Sequence, residues 1–260
     1  MTAVLGLAAA LSVVTGVPAS AEGHDYLPSG GVERKQDVQA STTDGNSYME
    51  INSAGQLVLW RRTGETFYGE VRGSDWNNTR IISTLSANSF LEVKGDGRLA
   101  KWTWNGGTYI QQIVGSGWNN ARLVTGVSAN KFLEINQQGN LVLWTFDAAN
   151  NLFATVRGTG WENTKSITGL GDLDFMEVKG ADPQGVSALS EWIDFNGLQE
   201  TKFEGSDFSR ARLMAGTDVN HFVVIDGVDG TLLEFTYTES DNTWHVALRG
   251  SGWGGTRLIG

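Results

Sequence analysis

The sequence predicts an all-β protein, a five-bladed β-propeller of four-stranded antiparallel blades whose ring is closed by the C-terminal strand joining the N-terminal blade. Three observations lead there. A glycine-rich turn ending in an aromatic recurs at Trp76, Trp118, Trp161, Phe208 and Trp253, at intervals of 42, 43, 47 and 45 residues. Four residues after each aromatic stands a basic side chain, Arg80, Arg122, Lys165, Arg212 or Arg257, and the first four are followed by a hairpin closing on Phe-Leu-Glu-Val or a near copy. A period of that size with strand-like filling is the signature of a four-stranded sheet repeated about an axis. Composition agrees, because 34 Gly, 3 Pro and 10 Trp in 260 residues suit short strands joined by tight turns.

The N-terminal segment stands outside the repeat. Residues 1–21 carry an apolar run from Ala3 to Val17 and end in Ala19-Ser20-Ala21, the small-x-small pattern of a cleaved signal peptide. The run is shorter than the roughly 20 residues a membrane span needs, so a secreted mature chain without membrane insertion is expected. Residues 22–43, rich in Gly, Ser, Asp and Thr, read as a flexible leader, and 44–260 as the propeller.

One repeat shows how a blade is made. From Gly73 to Val114, alternating runs at 79–83, 90–93, 99–102 and 109–114 give four short strands, with Gly97 turning the second into the third. Arg80 and Glu92, Arg122 and Glu134, and Lys165 and Glu177 are each 12 residues apart. A turn centred near Ser86 pairs 80 with 92 and places Ile82 opposite Phe90, Val124 opposite Phe132 and Ile167 opposite Phe175. The opposed charges then fix the register. The fifth copy has Val224 where the others have Glu. The last copy stops after its first strand, while Tyr48-Met49-Glu50 lacks a first strand before it. Joining the two completes the N-terminal blade, leaves no long open edge and sets Arg257 against Glu50.

Charge and composition exclude several functions. A net charge of −10 disfavours nucleic acid, whose binding is driven by Lys and Arg. Without cysteine there is neither a disulfide framework nor thiol catalysis. His24, His221 and His245 are scattered and lack metal-ligand spacing, and Asp226-Gly-Val-Asp229-Gly reads as a turn, so no metal and no cofactor is expected.

The candidate binding residues are aromatic. Trp76, Trp118, Trp161 and Trp253 follow glycine turns, and Trp60, Trp102, Trp144 and Trp192, with Phe235, end third strands. Either set could pack between blades or present flat faces to a sugar ring. Beside the first set stand Asn77 and Asn78, Asn119 and Asn120, and Asn163, amides that both donate and accept hydrogen bonds and also suit tight turns.

The Gly-x-Gly-Trp turns at 115–118, 158–161 and 250–253 and the stretch Asp241-Asn242-Thr243-Trp244 through Trp253 resemble the tachylectin-2-like five-bladed lectins. The resemblance spans about 44–260. It implies a non-enzymatic, multivalent carbohydrate-binding protein recognising glycans, N-acetylated sugars among them, and adds Trp244 to the candidate site. Two alternatives stand beside it. One is a propeller scaffold for protein partners. The other is a glycoside-active enzyme, for which the fourth copy gathers Asp172, Asp174, Asp182, Glu191 and Asp194.

Overall fold

The computed structural model describes residues 12–13, 26–27, 46–172, 174–194, 197–203 and 205–260. The signal-peptide and leader assignments lie outside the described residues, except for Ser12–Val13 (β1) and the pair Tyr26 and Leu27. The first blade comprises Ser47–Ile51 (β2), Leu57–Thr63 (β3) and Thr66–Gly73 (β4), with β1 on its outer edge. The second is Thr79–Ser86 (β5), Ser89–Lys94 (β6), Leu99–Trp104 (β7) and Tyr109–Gly115 (β8). The third is Ala121–Ser128 (β9), Lys131–Asn136 (β10), Leu141–Phe146 (β11) and Leu152–Gly158 (β12). The fourth is Thr164–Gly171 (β13), Asp174–Lys179 (β14), Leu189–Asp194 (β15) and Leu198–Lys202 (β16). The fifth is Ala211–Asp218 (β17), His221–Asp226 (β18), Leu232–Thr238 (β19) and Thr243–Gly250 (β20). Leu258–Ile259 (β21) then pairs with β2 as the missing first strand of the opening blade. Among the described residues no helix is long and apolar enough to cross a membrane.

The first strand of every blade faces the axis. β5 lies against β9, β9 against β13, β13 against β17, and both β17 and β5 against β21, so the ring is closed as expected. Its tightness is set by glycine. A β-carbon added at Gly126 would overlap the carbonyl oxygen of Thr84, one at Gly169 that of Gly126, and one at Gly216 that of Gly169. With no side chain in the way, Gly126 N–H reaches Ser83 Oγ at 2.7 Å and Gly169 N–H reaches Thr125 Oγ1 at 2.7 Å. Gly216 N–H donates to Thr168 Oγ1 in the same manner. Neighbouring inner strands are thus tied by a backbone donor and a hydroxyl acceptor, without a salt bridge.

The hairpin register differs from the expected one by two residues. Glu92 pairs with Ile82 and Phe90 with Thr84, and the other blades follow, with Glu134 on Val124 and Glu177 on Ile167. The cause is the turn, which lies between Ser86 and Ser89 and not at Ser86, and a bulge at the start of β5, β9, β13 and β17 then takes one residue out of the ladder. The ladder steps from Thr79 to Ile81, from Ala121 to Leu123, from Thr164 to Ser166 and from Ala211 to Leu213, skipping the basic residue each time. A bulged residue leaves the ladder and its side chain is re-aimed. Arg80 accordingly donates to the carbonyls of Trp118 and Asn119 in the next blade, not to Glu92. Arg122 donates to Trp161 and Thr164, Lys165 to Phe208 and Ser209, and Arg212 to Trp253 and Thr256. Arg257 closes the circuit on Asn77 O at 3.1 Å and Thr79 O at 3.4 Å, while the strand position opposite Glu50 belongs to Ile259. The expected charge pairs are therefore replaced by cations donating to carbonyls of short turns, where the carbonyls of Trp118, Trp161, Phe208 and Trp253 also accept the backbone N–H three residues on.

If glycine sets the spacing, Gly169→Ala should cost about 3 kcal/mol through forced separation of β9 and β13. Gly254→Ala, at a turn position with open space around the added carbon, should stay within about 0.5 kcal/mol of the parent. Urea denaturation of the two variants checks the contrast.

Candidate functional site

Each turn aromatic lies back over the sheet that follows it and meets the aromatic of the third strand, which stands at that strand's fourth residue and not at its end as expected. Ring centroids are 4.5 Å apart for Trp253 and Trp60, 4.8 Å for Trp76 and Trp102, 4.9 Å for Trp118 and Trp144, and 4.8 Å for Trp161 and Trp192, all tilted. Room for this comes from the glycine ending the preceding outer strand. A β-carbon at Gly73 or Gly158 would stand 3.0 Å from the indole nitrogen of Trp76 or Trp161. The two aromatic sets treated as separate in the sequence are thus halves of one cleft.

The polar centre of the cleft is the glutamate of the second strand. Glu50, Glu92, Glu134 and Glu177 are all buried. Their Oε2 atoms accept the indole N–H of Trp60 at 2.7 Å, Trp102 at 2.9 Å, Trp144 at 2.8 Å and Trp192 at 2.8 Å. The other carboxylate oxygen accepts a threonine hydroxyl at 2.6 Å from Thr256, Thr79 or Thr164 in the first, second and fourth blades. The third blade has Ala121 in that place, and Trp144 is the hydrogen-bond donor that Glu134 retains among the described residues. Burial pushes the Glu134 and Glu177 carboxyls above the usual carboxylate range, and the bonds from Trp144, or from Thr164 and Trp192, oppose that rise. Beside the carboxylate, Lys94 and Lys179 lie near the faces of Trp102 and Trp192.

Two of these clefts are open cavities. That of the first blade holds about 290 Å³ among Glu50, Asn52, Gln56, Trp60, Ser251 and Trp253. That of the fourth holds about 250 Å³ among Gly160, Trp161, Glu177, Lys179, Trp192 and Leu198. The fifth copy is different in three coordinated ways, with Phe208, Phe235 and Val224 replacing the two indoles and the carboxylate. Tyr26 fills it. Its ring stands edge-on to Phe208 at 4.9 Å and to Phe235 at 5.9 Å, and its hydroxyl donates to Asp226 Oδ2 at 2.9 Å. Only 2% of Tyr26 is exposed, and burial, together with Asp226, raises its phenol far above the ordinary range.

Of the sequence-predicted residues, the structure gathers Trp76, Trp118, Trp161 and Trp253 at the clefts. Trp118, Trp161 and Trp253 are buried and Trp76 half-buried. Asn77, Asn78, Asn119, Asn120 and Asn163 are exposed on the adjoining turns. The amides of Asn77 and Asn119 stand over Gly55 and Gly97 of the preceding blade, and that of Asn163 over Gly180 of the blade its turn leads into. Trp244 is not brought to a cleft. It is fully buried on β20, packed against Phe222 at 5.3 Å and Tyr237 at 5.6 Å. The glutamates, which could fix register or line a pocket beside the basic residues, meet the indoles instead, and the joint loss of Glu and Trp in the fifth copy is the sign in the sequence that they work together.

The carboxylates of the fourth blade have other employment. Asp172 accepts from Lys131 Nζ at 2.9 Å, Asp194 is held by the Arg157 fork, and Asp182 accepts the N–H groups of Gln184 and Val186 within its own loop. Asp174 and Glu191 are buried within the sheet. Among the described residues no group of three or more His, Cys, Asp or Glu is placed to hold a metal ion.

No family model matches the chain, and no curated protein matches it. Solved structures similar to it are propellers. The Prp20p protein of Saccharomyces cerevisiae aligns at 12% identity and TM-score 0.42, covering 78% of this chain and 59% of its own. U3-55K aligns at 7% identity and TM-score 0.44, covering 83% and 82%. A candidate 6-phosphogluconolactonase from Bacteroides uniformis aligns at 9% identity and TM-score 0.45, covering 85% and 72%.

A carboxyl raised by burial binds its proton more tightly folded than unfolded, so its protonation favours the fold and stability falls as pH rises through the raised value. Glu134→Gln keeps an oxygen for Trp144 and removes that loss. At neutral pH the variant should melt at or above the parent temperature, the two converging as pH drops below 4.5, the ordinary carboxylate value; thermal melts across this range decide it. In the fifth cleft, Tyr26→Ala should cost about 3 kcal/mol and Tyr26→Phe about 1.5 kcal/mol, measured by chemical denaturation.

Proposed function

We propose that this is an exported, non-enzymatic protein that binds carbohydrate at several equivalent clefts between its blades. The observation that carries the reading is a buried glutamate, set beneath two indoles, that recurs in four of five blades. A pyranose ring has apolar C–H faces and edge hydroxyls, and an aromatic wall with a carboxylate acceptor suits both. Glu134 is the best placed to accept a ligand hydroxyl, because the threonine bond of its counterparts is missing there. Tyr26 in the fifth cleft supports the idea by analogy, a six-membered ring against two aromatics with its hydroxyl on a carboxylate.

In this reading Trp76, Trp118, Trp161 and Trp253 wall the clefts, Trp60, Trp102, Trp144 and Trp192 orient the glutamates, and the turn asparagines Asn77, Asn78, Asn119, Asn120 and Asn163 contact the outer part of a longer glycan. N-acetylated sugars fit the mixed donor and acceptor lining. Several weak sites acting together raise avidity by roughly 10²–10⁴ without new contacts. The apolar run 3–17 and Ala19-Ser20-Ala21 support export.

A second reading, a scaffold for protein partners, is favoured by Ile110 on β8 and by Phe153 and Val156 on β12, which are 53%, 59% and 62% exposed. A glycan array decides between them. Glycan binding that weakens in Glu177→Gln and in Glu134→Gln, with melting behaviour retained, is the expected result. A cooperatively melting protein that retains no glycan would overturn the reading in favour of the scaffold.

A further inference from the structure

The axis of the ring encloses a second kind of space. A cavity of about 200 Å³ lies among the inner strands, away from the clefts. Its lining changes along the strand direction. Arg80, Arg122, Lys165 and Arg212 stand at the rim, Val124, Ile167 and Met214 line the wall, and Thr125 and Thr168 lie deeper. Arg257 holds the corresponding place before β21.

This ring of basic residues is an exception in a chain of net charge −10. Among the described residues none of the five has a carboxylate within ion-pair distance, and their hydrogen bonds go to main-chain carbonyls and, for Arg257, also to the Asn77 amide oxygen, groups that bear only partial charge. Arg80 Nε is buried with no hydrogen-bond partner among the described residues. Burial also pushes the Lys165 amine below its ordinary range, with Asp207 acting in the opposite direction. Like charges gathered at a partly dry mouth repel one another and concentrate positive potential there, which an anion relieves. Apolar walls below the rim favour a ligand with a hydrocarbon part over a bare inorganic ion.

We propose that the axial cavity binds a small organic carboxylate, with the charged head among Arg80, Arg122, Lys165 and Arg212 and a short apolar chain along Val124, Ile167 and Met214. Binding is non-covalent and independent of the glycan clefts.

Isothermal calorimetry on the folded chain with hexanoate, hexanamide and inorganic phosphate tests it. Hexanoate should bind, more weakly as salt is raised because the rim charges are screened. Hexanamide, equal in length but neutral, and phosphate, which has no chain, should bind at least about tenfold more weakly. Arg122→Gln should weaken hexanoate by about tenfold or more, whereas Arg122→Lys, which keeps the charge and loses the planar fork, should retain most of the affinity. Lys165→Gln provides the same charge test if Arg122→Gln does not fold. The proposal fails if hexanoate does not bind, if hexanamide or phosphate binds as tightly, or if the Gln variants bind like the parent. Measuring glycan retention on the same samples separates this outcome from that of the clefts.

Discussion

Each blade is fastened to the next by one side chain that the backbone has expelled from its own sheet. The bulge at the head of β5, β9, β13 and β17 leaves Arg80, Arg122, Lys165 or Arg212 outside the ladder, and the freed cation reaches the following turn. Those carbonyls take the cation as a second donor beside the in-turn backbone N–H, and the same turn carries the aromatic of the next cleft. A single contact therefore sets blade spacing, turn geometry and the position of the cleft wall. Because the fifth latch returns from Arg257 to the turn at Asn77 and Thr79, the series has no end repeat to fray.

The glycine contacts at the axis act with these latches. Gly126, Gly169 and Gly216 allow adjacent backbones to approach until an N–H meets a neighbouring hydroxyl. Close approach at the centre makes the blades diverge outward, and the diverging space is filled in two ways. Leu, Ile and Val side chains pack between the sheets, and farther out the indole pairs take over. Deep burial of an ionisable glutamate at that junction is tolerated because indole and threonine donors surround it.

Much of this architecture was legible in the sequence, since strand period, turn glycines and repeat interval all pointed to the same closed ring. The register was not, because Arg80 and Glu92 read as a cross-strand pair, and nothing in residue type marks a turn between Ser86 and Ser89 over one at Ser86, or the bulge that expels Arg80. The site was half legible. Both tryptophan sets were visible, but their union across a cleft depends on how far the turn folds back, which only three-dimensional packing decides. The partner of each glutamate, an indole ten to fifteen residues later, was hidden by the nearer charge. Tyr26 was beyond reach of any local argument, as it meets Asp226 across 200 residues without a repeat to announce it.

That tyrosine also breaks the rotational equivalence of the molecule. Four positions around the rim remain alike and the fifth is sealed by the chain itself, so the recognition surface is an arc with a gap, not a full circle. An object touching the protein broadly would meet it in a preferred rotational setting.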